Sequence, residues 1–103
     1  MTWLITDRAG DLHEVLEDER ILVLCENQAE AHHWLRDQGI PPYGRHVSIV
    51  SGHNPRILDG GRWDVYVFLP GYLGAPSDVR DRISQVLLRN DTKRQAAPKR
   101  IHA

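Results

Sequence analysis

The chain lacks several features that would assign it to a particular class of protein. Cys25 is its only cysteine, so no disulfide forms within it, and its place in an apolar run predicts a buried, structural thiol. No apolar run approaches the roughly 20 residues of a membrane-spanning helix. The N-terminus also lacks the charged and then apolar stretches of a signal peptide. We therefore expect a cytoplasmic protein with no membrane partner.

Motifs of nucleotide and metal chemistry are missing as well. Neither Gly-x-x-x-x-Gly-Lys-Ser/Thr nor Gly-x-Gly-x-x-Gly after a strand occurs, which argues against nucleotide hydrolysis. His32 and His33 are adjacent on a predicted helix, whereas helical zinc ligands are spaced i and i+4. Ser51, His53 and Asp59 are the residue types of a hydrolase triad, but Ser51 lacks the Gly-x-Ser-x-Gly elbow. We expect no catalytic residue, metal or cofactor.

Alternating apolar runs and helical periodicity predict a parallel sheet with helices packed against it. The predicted core strands are residues 21–25, 46–50 and 63–69. The predicted helices are residues 28–38 and 78–89. Asn27 and Ser77 are the expected caps of these helices, and Glu30 lies at the capping-box position of the first. The fold class is therefore α/β, with a small, mostly parallel sheet in two or three layers.

The N-terminal segment permits two interpretations. Short apolar runs at residues 2–6 and 11–16, separated by the turn residues Asp7-Arg-Ala-Gly10, predict a hairpin. The alternative is a helix over residues 11–19, because Leu12, Val15 and Leu16 also follow helical spacing. This segment is the most acidic part of the chain, since its first 19 residues hold six acids against Arg8.

Charge changes sign near the C-terminus. Residues 1–90 contain 9 Arg, no Lys and 13 acids, whereas residues 91–103 contain four basic residues and one acid. Because this last segment is polar and has only Ile101 as a large apolar residue, we predict a mobile basic tail after a single α/β domain of residues 1–90. Its candidate phosphate contacts for nucleic acid are Lys93, Arg94, Lys99 and Arg100.

The carboxyl ends of the parallel strands are the expected ligand site, because loops and helix N-termini converge there. The candidate residues are Glu26, Asn27, Ser51, Gly52, His53, Gly71 and Tyr72. If the third core strand lies on the far side of the first, the strand order reverses between Glu26 and Gly71. The crevice at that point is a candidate site for a small molecule or nucleotide.

Aromatic residues near turns and strand ends suggest a different role. Trp3, Tyr43 and Tyr72 hold such positions, and aromatic side chains are favoured as interface anchors. With no catalytic motif beside them, they predict a non-enzymatic interaction module that binds a protein partner or a second copy of itself.

A resemblance points in the same direction. The short, Arg-rich chain, its acidic N-terminal hairpin and the strand 63–69 closing on Pro70-Gly71 resemble the small uncharacterised proteins encoded by actinobacterial phages. The likeness extends along the chain and includes no specific motif. It implies a binding or host-interaction protein more readily than an enzyme, and it implies no particular residues.

Overall fold

The computed structural model describes residues 2–41, 46–52, 62–92 and 98–103. These residues contain, in chain order, β1 (Thr2–Thr6), β2 (Leu12–Leu16), β3 (Ile21–Cys25), α1 (Gln28–Asp37), β4 (Val47–Ser51), β5 (Val65–Phe68), a 3₁₀ helix (Pro70–Gly74), α2 (Ser77–Thr92) and β6 (Lys99–His102). The predicted α/β class is confirmed. No helix within these ranges is long and apolar enough to cross a membrane.

Four parallel strands form the main sheet, in the order β4-β3-β5-β6. Ile21 at the start of β3 lies opposite Val47 of β4 on one side and Val65 of β5 on the other. All five residues of β3 are buried, as its uninterrupted apolar run predicted. Because β5 lies on the far side of β3 from β4, the strand order reverses between β3 and β5.

Two apolar clusters cover opposite faces of this sheet. One cluster joins the sheet to α1 and to the β1–β2 hairpin, which contributes Ile5 and Val15. The other joins Leu22 of β3 to Ile83 and Leu87 of α2. Successive side chains of a strand point to opposite faces, so β3 contributes to both clusters. The result is three layers: the hairpin with α1, the sheet, and α2.

The N-terminal segment is the hairpin and not the alternative helix. Its turn contains Gly10 with a φ of +89°, a conformation that glycine adopts without strain. The Asp7 carboxylate accepts a hydrogen bond from the Asp11 N–H at 2.9 Å and lies 2.7 Å from Nε2 of His13. These local contacts, together with the burial of Val15, favour the extended conformation over the helical spacing.

The predicted helices are present, with one difference at their starts. Asn27 caps α1, since its side-chain oxygen accepts a hydrogen bond from the Glu30 N–H at 2.9 Å. In contrast, Ser77 is the first residue of α2 and not its cap, and the Arg80 N–H donates to the carbonyl of Pro76 at 3.0 Å. The proline supplies the first carbonyl of the helix, so the helix begins one residue earlier than predicted.

The predicted mobile tail is wrong for the residues that the structure describes there. Helix α2 continues to Thr92, and Lys99–His102 form β6, an edge strand paired in parallel with β5. Ile101 is fully buried in the cluster between the sheet and the hairpin, and this burial holds the strand in place. Because Ile101 is the one large apolar residue in this segment, the sequence looks like that of a polar tail. Residues 93–97 lie outside the described residues.

Candidate functional site

A carboxylate of the chain itself fills the crevice between the ends of β3 and β5. Oε1 of Glu30 accepts a hydrogen bond from the Glu26 N–H at 2.9 Å, and Oε2 accepts one from the Gly71 N–H at 3.0 Å. Glu30 lies in the first turn of α1, where the helix dipole favours a negative charge. A Cβ atom on residue 71 would lie 2.5 Å from Oε2, so a side chain at this position would displace the carboxylate.

The N–H groups of Glu26 and Gly71 therefore meet at the Glu30 carboxylate, where the strand order reverses. The Asn27 side chain is used as the cap of α1. Tyr72 points into the core, where it is 5% exposed, and burial raises the pKa of its phenol.

The end of β4 is packed against the segment before α2. Ser51 is the last residue of the strand and is half-buried. The N–H of Gly52 donates to the carbonyl of Cys25 at 3.0 Å, and a Cβ on Gly52 would lie 2.7 Å from that of Ala75. Gly52 thus serves close packing. His53, the remaining candidate of this crevice, lies outside the described residues.

Cys25 ends β3 as a buried thiol. Burial raises the pKa of this thiol to about 12, and the nearby Glu30 carboxylate adds to the increase. Its Sγ donates to the carbonyl of Val50 at 3.5 Å. Since the thiolate is the nucleophilic form, burial and the raised pKa make this thiol a poor nucleophile. Within the described ranges, no group of three or more His, Cys, Asp and Glu side chains is arranged to hold a metal ion.

Two of the basic residues proposed to contact phosphate pair with acids. Nζ of Lys99 lies 3.6 Å from the Glu19 carboxylate, and the Arg100 guanidinium lies 2.9 Å from that of Asp91. Both acids therefore neutralise charge that a phosphate would use. Lys93 and Arg94 lie outside the described residues.

The outer face of the hairpin carries exposed leucines that the sequence analysis missed. Strands β1 and β2 send Ile5 and Val15 into the core and turn alternate residues outward. Leu4, Leu12 and Leu16 are 62%, 65% and 46% exposed. We call these three side chains, with Glu14 among them, the leucine face.

The register of the hairpin makes this face continuous. Leu4 pairs directly with Glu14, and the residues two positions to either side of Glu14 are Leu12 and Leu16. Leu4 is therefore the diagonal neighbour of both other leucines, at about 7 to 8 Å. Scattered apolar side chains are ordinary on a protein surface, whereas contiguous ones mark interaction sites.

Acidic residues surround the leucine face. They are Asp11 before Leu12, Glu14 opposite Leu4, and Glu17 and Asp18 after Leu16, all of them exposed. A groove of about 490 Å³ opens beside Leu16 and is lined also by Thr2, Glu17, Asp18 and His46. The leucine face thus combines three exposed apolar side chains with negative charge at Glu14 in its middle and at both of its ends.

Of the predicted aromatic anchors, the two that the structure describes are not part of this surface. Trp3 is partly buried against the core and Tyr72 is buried, while Tyr43 lies outside the described residues. The sequence signal for this surface was the alternation in residues 2–6 and 12–16. If Ile5 and Val15 point into the core, the leucines at positions of the opposite parity must point outward. That signal was hidden while a helix remained an alternative.

Comparison with known proteins adds no relative. No protein-family model, no curated protein and no solved structure matches this chain. We therefore infer the function from the geometry of the hairpin and of the strand ends.

Proposed function

We propose that this chain is a non-enzymatic interaction module that binds a protein partner through the leucine face. The observation that carries the proposal is the set of three neighbouring leucines left exposed on one side of the hairpin. Removing apolar surface from water gains about 25 cal/mol per Å², and this gain offsets part of the entropy that a partner loses when it binds over these side chains. The resemblance to small phage proteins is in keeping with a host protein as the partner.

The hairpin is well suited to present such a surface, because its inner side is held to the rest of the molecule. Ile5 and Val15 are fully buried. The Arg8 N–H donates to the carbonyl of His102 at 2.7 Å, and Nζ of Lys99 donates to the carbonyl of Glu14 at 2.7 Å. A surface that is already ordered loses less conformational entropy on binding than a mobile one.

A small-molecule or nucleotide site in the strand-end crevice is less well supported. The reversal of strand order between β3 and β5 is the place where doubly wound, Rossmann-like folds bind their ligands. Glu30, however, already supplies an anion to the N–H groups of Glu26 and Gly71. A phosphate would have to displace that carboxylate before it could bind there.

Nucleic-acid binding is also less well supported. Of its four proposed contacts, the two described side chains, Lys99 and Arg100, are already paired with Glu19 and Asp91. Phosphate contacts require cations that a nucleic acid can neutralise. An acidic N-terminal segment beside β6 opposes a polyanion further.

Photo-crosslinking tests the proposed function. A crosslinking amino acid at Thr6, on the outer side of β1, should give a protein adduct in extract from the cells in which the chain is naturally made. The same group at Gln85, on the exposed side of α2, is the matched control and should give none. The adduct should disappear in a variant carrying Leu4→Thr, Leu12→Thr and Leu16→Thr. Equal adducts from both positions, or an adduct that survives the leucine substitutions, would contradict the proposal.

A further inference from the structure

The leucine face has the dimensions of a single helix. Leu12 and Leu16 are four residues apart on one strand, which is about 14 Å, and β1 lies about 5 Å to the side. A helix about 10 Å wide covers two strands and spans that length in about nine residues. Helices also pack naturally on the apolar face of a sheet. Side chains one and two turns apart on one helix would therefore reach the leucines of both strands.

The charge of this face indicates which side chains would flank the apolar stripe of such a helix. Asp11, Glu14 and Asp18 are exposed, and none of the ion pairs between described residues involves them. Their carboxylates therefore present negative charge at both ends and in the middle of the face. Arginine or lysine on a partner would complement this charge.

A second copy of the chain is a poor occupant of the face. In a two-fold symmetric contact the same patch meets itself, so Glu14 of one copy would approach Glu14 of the other. Asp11 and Asp18 would also face acids across the contact. Like charges across an interface oppose association, which leaves a partner of opposite charge.

From these dimensions and charges we infer that the partner segment is an amphipathic helix of about three turns, with an apolar stripe flanked by arginine or lysine. This inference rests on the proposed function of the leucine face. The groove beside Leu16 receives one flanking basic side chain, whose aliphatic stem packs on Leu16 while its head group meets Asp18.

Two fluorescent synthetic peptides test the inference with the full chain. Both form a helix with the same leucine stripe, and one carries arginine flanks where the other carries glutamate flanks. Fluorescence anisotropy at low and high salt gives their affinities. The arginine peptide should bind at least about tenfold more tightly than the glutamate peptide at low salt, and the preference should shrink at high salt. A variant with Leu4→Thr, Leu12→Thr and Leu16→Thr that retains the wild-type circular dichroism should bind neither peptide.

Variants of the acidic residues test whether their charge sets the preference for basic flanks. Asp11→Asn, Glu14→Gln and Asp18→Asn together should remove most of the preference for the arginine peptide. The matched control, Asp37→Asn, Asp78→Asn and Asp81→Asn on exposed positions of the two helices, should keep it. The same loss of preference in both variants would mean that only net charge matters and would overturn the inference.

The remaining outcomes separate the inference from the proposed function. If both peptides bind equally and the leucine substitutions abolish this binding, the inference of basic flanks is overturned. The same result supports the leucine face as a binding surface. No binding of either peptide overturns the inference, and crosslinking from position 6 then decides the proposed function by itself. A dimer in size-exclusion chromatography with light scattering that the leucine substitutions convert to a monomer would identify a second copy as the occupant and overturn the inference.

Discussion

At the residue scale, the Glu30 carboxylate occupies the carboxyl edge of the sheet between β3 and β5. Its carboxylate joins the end of β3 to the start of the 3₁₀ helix through the N–H groups of Glu26 and Gly71. Backbone N–H groups at a helix N-terminus commonly bind anions from solution. Here the anion is part of the chain, and the crevice contributes to folding.

A double-mutant cycle measures this contact. Glu30→Ala should lower the free energy of unfolding by about 1 to 2 kcal/mol, because two N–H groups exchange a charged acceptor for water. Gly71→Ala should cost a similar amount, because its Cβ would lie 2.5 Å from Oε2 and displace the carboxylate. Both substitutions together should cost little more than either alone in urea unfolding.

Gly74→Ala is the control for this cycle. A Cβ at Gly74 would meet no atom within 4 Å, so this variant should stay within about 0.5 kcal/mol of wild type. Fully additive losses in the double variant would show that Glu30 and Gly71 act independently.

Asn90 is the second residue whose role depends on its surroundings. It is 3% exposed, its Oδ1 accepts a hydrogen bond from the Trp63 N–H at 3.3 Å, and its Nδ2 donates to the Trp63 carbonyl and to the Tyr66 hydroxyl. Asn90→Ala should lower the free energy of unfolding by about 2 to 3 kcal/mol, because it removes three buried hydrogen bonds. Gln85→Ala, exposed on the same helix, should be nearly neutral in the same urea titration. A neutral Asn90→Ala variant would refute the structural role of this amide.

At the element scale, β6 contributes one buried side chain to the core. Ile101 is fully buried between the sheet and the hairpin. Ile101→Ala should lower the free energy of unfolding by about 2 to 4 kcal/mol, as is usual for a large-to-small substitution in a core. Leu88→Ala, at a 61% exposed position of α2, removes the same kind of side chain and should cost far less. Equal, small losses in thermal unfolding would indicate that residues 99–102 are the free tail that the sequence suggested.

The hairpin should weaken in acid because of Asp7. The hydrogen bond from His13, together with the Asp11 N–H, holds the pKa of the Asp7 carboxyl below its usual value of 3.8. The folded state therefore takes up this proton less readily than the unfolded state. The stabilisation by Asp7 is present above about pH 4 and is lost as the pH falls through its lowered pKa.

Urea unfolding of wild type and Asp7→Asn across this pH range measures the effect. Wild type should be the more stable near neutral pH, and the difference should shrink toward zero in acid. His13→Ala, which removes the principal hydrogen bond, should flatten this dependence. If the difference in free energy of unfolding between wild type and Asp7→Asn stays constant with pH, the ionised Asp7 carboxylate is not the source of the stabilisation.

Elements with a strong local signal were predictable from the sequence. The apolar run of β3 and the Asn27 cap of α1 are confirmed almost residue for residue. The strand β6 was missed because one apolar residue, Ile101, gives no periodicity to detect. The role of Glu30 was only partly predictable. Its capping-box position follows from the sequence, but its contact with Gly71 joins residues 41 positions apart. Such a contact depends on the order of strands, which local patterns do not encode.

At the scale of the whole molecule, the leucine face combines exposed apolar surface with concentrated negative charge. Leu73 and Leu88 are also exposed, but they lie on the 3₁₀ helix and on α2, apart from the three leucines of the hairpin. The acids of the first 19 residues lie on the hairpin and just after it. The described surface is therefore asymmetric, with the exposed leucines and acids at the hairpin and the Glu30 carboxylate at the strand ends.

Nuclear magnetic resonance of the ¹⁵N-labelled chain, titrated with the arginine-flanked helical peptide, tests this arrangement most directly. The largest changes in amide chemical shift should occur at Leu4, Leu12 and Leu16 and at their immediate neighbours, while Glu26 and Gly71 stay unchanged. The largest changes at Glu26 and Gly71, with the hairpin unaffected, would place binding at the carboxyl edge of the sheet and contradict the account.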